Sequence, residues 1–308
     1  MTNDNATQSP RVLITGGAGF IGSHIARAWA ARGAHVIVLD SLRTGNRDNL
    51  RGVPHEFVEG SIEDMQLVRR VMVGVDYVHH LAALVSVPES VAKPQLCDAI
   101  NVEGTRNVLA AAAAEKVKKV VFSSTCAIYG MVDRPLHRED DPPAPMSPYA
   151  SSKLAGERLM AEAAAHGVPT VCLRYFNVYG PGQDPNGAYA AAIAAFAARA
   201  RENMPLTIYG DGEQTRDFVH VDDVVAANLL ATGAGSGVYN VSTGERITIG
   251  RLATLVIAAA GSTSQVHHAP PREGDVRHSR GDSSRLIQLG WKPDIVLEDG
   301  LKTVINRK

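Results

Sequence analysis

The sequence predicts an α/β fold, a doubly wound parallel sheet carrying a smaller C-terminal lobe, and three observations lead there. Short β-branched runs alternate with helical patterns through the first half of the chain, as in a parallel sheet covered on both faces. A glycine-rich turn joins the first strand to the first helix. Beyond Asn177 the rhythm loosens into a Gly/Pro/Asn-rich loop (NVYGPGQDPNG, 177–187) and shorter, mixed elements.

Taken in order, 12–15 reads as a buried strand running into Gly16. A helix follows over 21–32, closed by Gly33, and 36–40 is the second strand. Residues 57–58 and 75–79 read as two more strands, each after a turn-rich or helical stretch. A long helix is expected over 96–116, with Pro94 just ahead of it, and a strand over 119–123 that ends in a polar cluster. Another helix spans 148–165 and the sixth strand 170–174. Residues 1–176 are thus mainly the sheet domain. Residues 177–308 are mainly a lobe over its C-terminal edge, with some segments returning to the first domain. Ligands bind at that edge in open α/β folds. No internal repeat or low-complexity linker separates the halves.

Bulk properties narrow the function classes. The 308 residues are 45% hydrophobic, enough for a large core, with a formal net charge of −1. Such a balance argues against nucleic acid or an anionic membrane as a general partner. Three cysteines, Cys97, Cys126 and Cys172, show neither disulfide nor metal spacing, which suits a reducing, cytoplasmic setting. The first ten residues read as a loose polar tail, not a signal peptide, and no segment could span a bilayer as a helix.

The strongest local signal is Gly16-Gly17-Ala18-Gly19-Phe20-Ile21-Gly22, placed between a strand and a helix. Glycines at 16, 19 and 22 allow a tight turn, close approach to a pyrophosphate and close helix–strand packing. The helix N-terminus adds free N–H groups and the positive end of its dipole. Alone, such a pattern could be a plain tight turn. Asp40 closes the next strand, where its carboxylate can accept from adenosine ribose hydroxyls, and together they indicate a Rossmann-type dinucleotide site. The carboxylate would repel a 2′-phosphate, which favours NAD over NADP, although Arg43 lies close by. The second constellation is Tyr149-Ala-Ser-Ser-Lys153 on the helix after Ser147-Pro148. Positions i and i+4 share a helical face, so ammonium and phenol can address one site. A surface Tyr–Lys pair would look the same in isolation. After a dinucleotide loop and a strand ending Ser123-Ser124-Thr125 it reads as an acid–base pair, with Lys153 and a positive nicotinamide pulling the phenol pKa toward the working range.

These blocks resemble the extended short-chain dehydrogenase/reductase family, and within it the UDP-hexose 4-epimerases. The resemblance runs from Leu13 to Trp291 through HHLAA (79–83), INVEGT (around Asn101), FSSTCAIYG (122–130), SPYASSK (147–153), LRYFNVYGP (173–181), YGDGEQTRDFVHVDDV (209–224) and REGDVRHS (272–279). It implies NAD as cofactor, held by Gly16, Gly19, Phe20, Ile21, Gly22, Asp40, Ile62, Leu81, Ala82, Ala83, Asn101, Ser123, Tyr149, Lys153 and Tyr175. It implies Thr125, Tyr149 and Lys153 as the catalytic set: Tyr149 takes the proton from the sugar 4-hydroxyl as hydride leaves carbon 4, and Thr125 bonds the same oxygen. Ser124, Thr125, Asn177, Tyr209, Arg216, Arg277 and Ser279 would hold a UDP-sugar, with Asn177 and the two arginines on the diphosphate and Tyr209 near the uracil. The family often has an acid where this chain has Ser61, which puts the adenine contact there in doubt.

The resemblance also separates related reactions. Nucleotide-sugar 4,6-dehydratases place Asp and Glu directly after the catalytic Thr, and decarboxylases usually keep the Glu. Here Cys126 and Ala127 stand there, which disfavours both. Cys126 reads as half-buried filler rather than a nucleophile. Ser279 sits where the family has its sugar-pocket gatekeeper, and NGAYAAAI (186–193) resembles epimerases that accept N-acetylhexosamines. UDP-GlcNAc/UDP-GalNAc is therefore the favoured pair, with UDP-glucose/UDP-galactose or UDP-glucuronate as alternatives and Ser279 as simple loop polarity the plain reading. A catalytically silent NAD-binding scaffold is the reading from another class, and the intact Thr125, Tyr149 and Lys153 set opposes it. His79-His80 are read as structural or cofactor-adjacent, and no metal site is expected. The alanine runs 110–114 and 161–165 lie on the helices that in this family build a dimer interface, so a homodimer is expected.

Overall fold

The structure, a computed structural model, describes residues 9–132, 134, 136–186, 191–272 and 276–306. Most of the expected N-terminal tail, residues 187–190 of the NGAYAAAI block and residues 273–275 of the REGDVRHS block lie outside the described residues.

Six strands of the first half, β1 (Arg11–Thr15), β2 (His35–Asp40), β3 (Glu56–Glu59), β4 (Tyr77–His80), β5 (Lys119–Thr125) and β6 (Thr170–Tyr175), form a parallel sheet. A seventh strand, Gly237–Val241, pairs with β6, so the sheet order is Gly237–Val241, β6, β5, β4, β1, β2, β3. Strand order reverses between β1 and β4, which opens a crevice at their C-terminal ends. Side chains alternate across the sheet. Leu13 joins Ile37, Val78 and Phe122 on one face, under α2 (Met65–Met72), α5 (Gly104–Ala114) and α6 (Pro148–Ala165). Val12 and Ile14 face the other way against α1 (Phe20–Ala30), which packs on the helix Val221–Ala231. Near-continuous apolar strands are what burial on both faces requires, at about 1.5–3 kcal/mol for each large apolar side chain taken out of water.

Several boundaries differ from the sequence reading. The helix expected over 96–116 is divided into α4 (Pro94–Asp98), a π-helical turn (Ala99–Glu103) and α5, and a short helix α3 (Val87–Ala92) precedes it. Ser86 caps α3 by accepting from Glu89 N–H, and proline at the start of α3 and of α4 suits a first helical turn. The fourth strand begins at Tyr77, because Val75 closes the turn after α2 by donating to Met72 O. The strand expected over 119–123 continues to Thr125.

The C-terminal half adds three two-stranded pairs: Asn177–Tyr179 with Phe218–His220, Thr215–Arg216 with Ile247–Thr248, and Leu206–Tyr209 with Val266–Ala269. They close over a core shared by the helices Ala192–Arg201, Ile249–Ala260 and Leu297–Ile305. Among the described residues, no helix is long and apolar enough to cross a membrane.

Candidate active site

A cavity of about 550 Å³ occupies the crevice between β1 and β4. Its floor is the glycine turn. Gly16 has φ +71°, and a Cβ there would meet Ala82 N at 2.7 Å. A Cβ on Gly22 would meet Gly16 O at 2.3 Å, so helix and turn approach more closely than any side chain permits. Phe20 and Ile21 open α1 against the same cavity. The turn is a cradle shaped for a backbone-bound pyrophosphate.

At one end lies Asp40, buried at the tip of β2. Its Oδ2 accepts from Ala18 N–H at 2.9 Å and its Oδ1 from Leu42 N–H at 2.8 Å. Arg43 also lines this end but pairs with Glu89 at 2.5 Å, away from the carboxylate. A ribose diol suits such a corner better than a 2′-phosphate does. Ser61 faces the cavity beside Ile62, and its hydroxyl donates to Glu63 Oε2 at 2.8 Å. An acid therefore reaches this end two residues after the serine. Sequence reasoning missed Glu63, and it missed Thr44 and Gly45 in the loop after Asp40, because their approach depends on how that loop folds back.

The HHLAA segment brings Leu81, Ala82 and Ala83 to the cavity. His80 explains their placement. Thr105 Oγ1 donates to Asn101 O at 2.6 Å, so it accepts from His80 Nε2, and His80 Nδ1 accepts from Thr15 Oγ1 at 2.7 Å. Thr15 in turn accepts from Ala82 N–H at 3.3 Å. Burial pushes the His80 pKa down to about 3, which keeps the ring neutral. Asn101, expected to touch the cofactor, does not line the cavity. Its amide bonds Leu84 O at 3.0 Å, Leu84 N–H at 2.7 Å and Ser152 Oγ at 2.9 Å. It ties the loop after Ala83 to α6 from its place in the π-helical turn.

The other end of the cavity holds Ser123, Ser124, Tyr149, Lys153 and Tyr175. Ser147 caps α6 by accepting from Ala150 N–H, which fixes the first turn where Tyr149 sits. Lys153 Nζ donates to Ser123 O at 2.9 Å and lies 4.8 Å from the Phe122 ring centre. Burial lowers its pKa to about 8. Thr125 hydrogen-bonds the Tyr149 phenol, yet burial dominates and pushes that phenol up to about 12. The expectation that the phenol moves toward the working range is not met by the protein alone, since desolvation outweighs its polar neighbours. Ser124, expected on the sugar, donates its hydroxyl to Glu157 at 2.5 Å, and Glu157 is paired with Arg174 inside the fold.

The lobe presents the remaining residues. Asn177 Nδ2 donates to Asp217 O at 3.0 Å, and Arg216 Nη1 to Thr215 O at 2.8 Å. Ser279 is buried, its N–H bonded to Thr215 O, and its side chain hydrogen-bonds Cys126, the neighbour of Thr125. Arg216 acts electrostatically on the same thiol, whose pKa burial raises to about 11. Cys126 therefore stays protonated and packs. Tyr209 and Arg277 are exposed and do not line the cavity: the Arg272 guanidinium sits 3.9 Å from the Tyr209 ring centre, and Arg277 forms a bidentate exposed pair with Asp211 at 2.7 and 2.9 Å. Among the described residues no group of three or more His, Cys, Asp or Glu could hold a metal ion.

Known proteins share this fold. Residues 12–242 match the NAD dependent epimerase/dehydratase family. A UDP-glucose 4-epimerase of Thermotoga maritima, solved with UDP-glucose, is 40% identical, with a TM-score of 0.92 over 96% of this chain and 97% of its own. A UDP-N-acetylglucosamine 4-epimerase of Methanobrevibacter ruminantium, solved with UDP-N-acetylmuramic acid, is 36% identical, with a TM-score of 0.93 over 97% of this chain and 98% of its own. A UDP-glucose 4-epimerase of Thermus thermophilus, solved with NAD, is 42% identical, with a TM-score of 0.89 over 96% and 98%. The chain belongs to the NAD dependent epimerase/dehydratase family, as an extended short-chain dehydrogenase/reductase of the UDP-hexose 4-epimerase type.

Proposed function

We propose that this NAD-dependent enzyme inverts carbon 4 of a UDP-hexose through a transient 4-keto sugar, with UDP-GlcNAc/UDP-GalNAc as the favoured pair. When bound, NAD supplies the redox chemistry, taking hydride from carbon 4 and returning it to the other face. The chain's own part is acid–base and positional. Tyr149 takes the 4-hydroxyl proton and gives it back, and Thr125 orients the phenol it bonds. A phenol raised to about 12 by burial needs positive charge beside it, and Lys153, held on Ser123 O, supplies part of that charge from below. The geometry of α6 keeps both groups on one face, within the cavity and away from bulk water.

The substrate preference rests on one observation: Ser279, small and buried, bonds Cys126 directly beside Thr125. Two short side chains there leave room for a 2-acetamido group, where an aromatic residue would fill the space. Fold similarity does not separate the sugars, since relatives named for UDP-glucose and for UDP-N-acetylglucosamine superpose about equally well. Cys126 and Ala127 offer no acid for dehydration or decarboxylation. The diphosphate falls to Asn177, Arg216 and Arg277, and the uracil to Tyr209. We place the enzyme in the cytoplasm as a homodimer joined through α5 and α6. Separate incubation with UDP-GlcNAc, UDP-glucose and UDP-glucuronate, followed by proton NMR, tests the reading. Turnover of UDP-glucose alone would reverse the substrate preference, and formation of a 4-keto-6-deoxy product would replace epimerase by dehydratase.

A further inference from the structure

One set of buried polar side chains outside the catalytic set forms a continuous chain that ends at the cofactor cavity. Trp29 Nε1 donates to His79 Nε2 at 2.8 Å, and His79 Nδ1 lies 3.3 Å from Asn228 Oδ1. Asn228 Nδ2 donates to the Tyr175 phenol oxygen at 2.8 Å, and that phenol lies 3.0 Å from Ser123 Oγ. His79 and Asn228 have no exposed surface, whereas Tyr175 and Ser123 line the cavity. Ser123 also offers its carbonyl to the Lys153 ammonium at 2.9 Å. The chain therefore joins the far side of the sheet to the catalytic end of the site.

Its fixed ends give it a single direction. An indole N–H can only donate, so His79 Nε2 accepts and the ring proton sits on Nδ1. Burial lowers the His79 pKa to about 4, so the ring is neutral and carries one proton. Nδ1–H then donates to Asn228 Oδ1. The other end of the amide is fixed as well, because Nδ2 donates to the Val224 carbonyl at 2.8 Å, which can only accept. The second Nδ2 proton goes to the Tyr175 oxygen. Tyr175 also lies 3.1 Å from Asn228 Oδ1, but a phenol receiving a proton from the amide nitrogen cannot align its own O–H with the oxygen of the same amide. The phenol proton turns to Ser123 Oγ. Ser123, having accepted, keeps its own proton for the cavity.

We infer that His79 and Asn228 are positioning residues of the cofactor site, orienting Tyr175 so that the Ser123 hydroxyl presents its proton to a carbonyl-type acceptor on the nicotinamide end of NAD. The inference rests on the NAD site and is independent of which sugar is turned over. Asn228→Asp tests it, since an aspartate has no N–H for Tyr175. The phenol then donates inward, and the Ser123 proton is drawn toward Tyr175 in turn. His79→Phe is the milder variant: it removes the Nδ1–H that holds the Asn228 amide, loosening the orientation passed on to Tyr175, and keeps an aromatic ring beside Trp29.

The measurement is calorimetric titration of the full-length protein, freed of cofactor, with NAD⁺ and separately with ADP-ribose, which lacks the nicotinamide. For Asn228→Asp, NAD⁺ binding should weaken roughly 5- to 10-fold, about the worth of one hydrogen bond, while ADP-ribose binding stays within about twofold. His79→Phe should move NAD⁺ alone in the same direction by roughly 2- to 5-fold, and it decides the matter if the aspartate variant does not fold. Equal weakening toward both ligands, or unchanged NAD⁺ affinity in a folded variant, would overturn the inference by making the chain merely structural. Wild-type protein that fails to bind NAD⁺ would overturn it together with the cofactor assignment. Loss of epimerase activity with these binding differences intact would strike the sugar reading alone.

Discussion

The two halves of the site are built from different kinds of contact. Around the cavity, the sheet ends dominate: the glycine cradle follows β1, Asp40 ends β2, His80 ends β4, Ser123 and Thr125 end β5, and Tyr175 ends β6. Buried side chains there are bonded to each other or to backbone. In the lobe, Asn177, Tyr209, Arg216, Arg277 and Ser279 come from short pairs and loops, and Tyr209 and Arg277 are exposed. The polar side chains at the cavity are buried and bonded, whereas the Arg277–Asp211 pair is exposed and weakened by solvent.

Four substitutions and a pH series would sharpen or break that contrast. Tyr149→Phe carries the largest expected effect. Turnover should fall roughly 10²–10⁴-fold while NAD remains bound, because the phenol is the group proposed to exchange the 4-hydroxyl proton. Retention of more than about a tenth of wild-type turnover would remove it as the base.

Gly22→Ala tests the cofactor end without touching the lobe. Its Cβ would press on Gly16 O at 2.3 Å. Overpacking of this kind costs ~1–3 kcal/mol, so NAD⁺ should bind roughly 5- to 150-fold more weakly with UDP binding little changed. Parallel losses of NAD⁺ and UDP would show that the two halves are not separable.

Ser279→Tyr is the matching change in the lobe. The same range of roughly 5- to 150-fold should fall on UDP-GlcNAc turnover, with UDP-glucose turnover retained and NAD binding intact. If both sugars suffer alike, Ser279 does not select at carbon 2.

Acid should act on the sheet half through stability rather than rate. His79 and His80 are lowered to about 4 and about 3 from an ordinary 6.5. As pH falls below about 6.5 the unfolded chain binds protons that the folded chain refuses, so stability falls with pH. Asp217, raised to about 6, works the other way between about pH 6 and 4, since the folded chain takes up its proton first. Two rings against one carboxyl leave a net loss. Tm should drop from about pH 7 to about pH 5, and His79→Phe should narrow that drop. A drop of the same size in the variant would mean the ring is not held neutral.

Cys126→Ala is the smallest expected change. A thiol raised to about 11 by burial is a packing group, and turnover should stay within about a few-fold of wild type. A loss as deep as that of Tyr149→Phe would place the thiol in the chemistry.

The sequence by itself determined the first six strands, the glycine turn and helix α6, because each is local. A strand, a glycine turn and a helix fall within about a dozen residues, and Tyr149 and Lys153 meet through helical spacing alone. Helix α6 was legible to its ends, since Ser147-Pro148 is a start signal written in the chain. The long helix over 96–116 was read as one uninterrupted element, because nothing in its sequence marks the π-helical turn at Ala99–Glu103. Asn101 in that turn bonds Leu84 and Ser152 and does not line the cavity. Tertiary structure alone decided that Gly237–Val241 closes the sheet beside β6, and that Ser279 meets Cys126 across the chain. It alone set the tautomers of His79 and His80, since a ring proton is placed by the partners on either side, and those come from distant strands and helices.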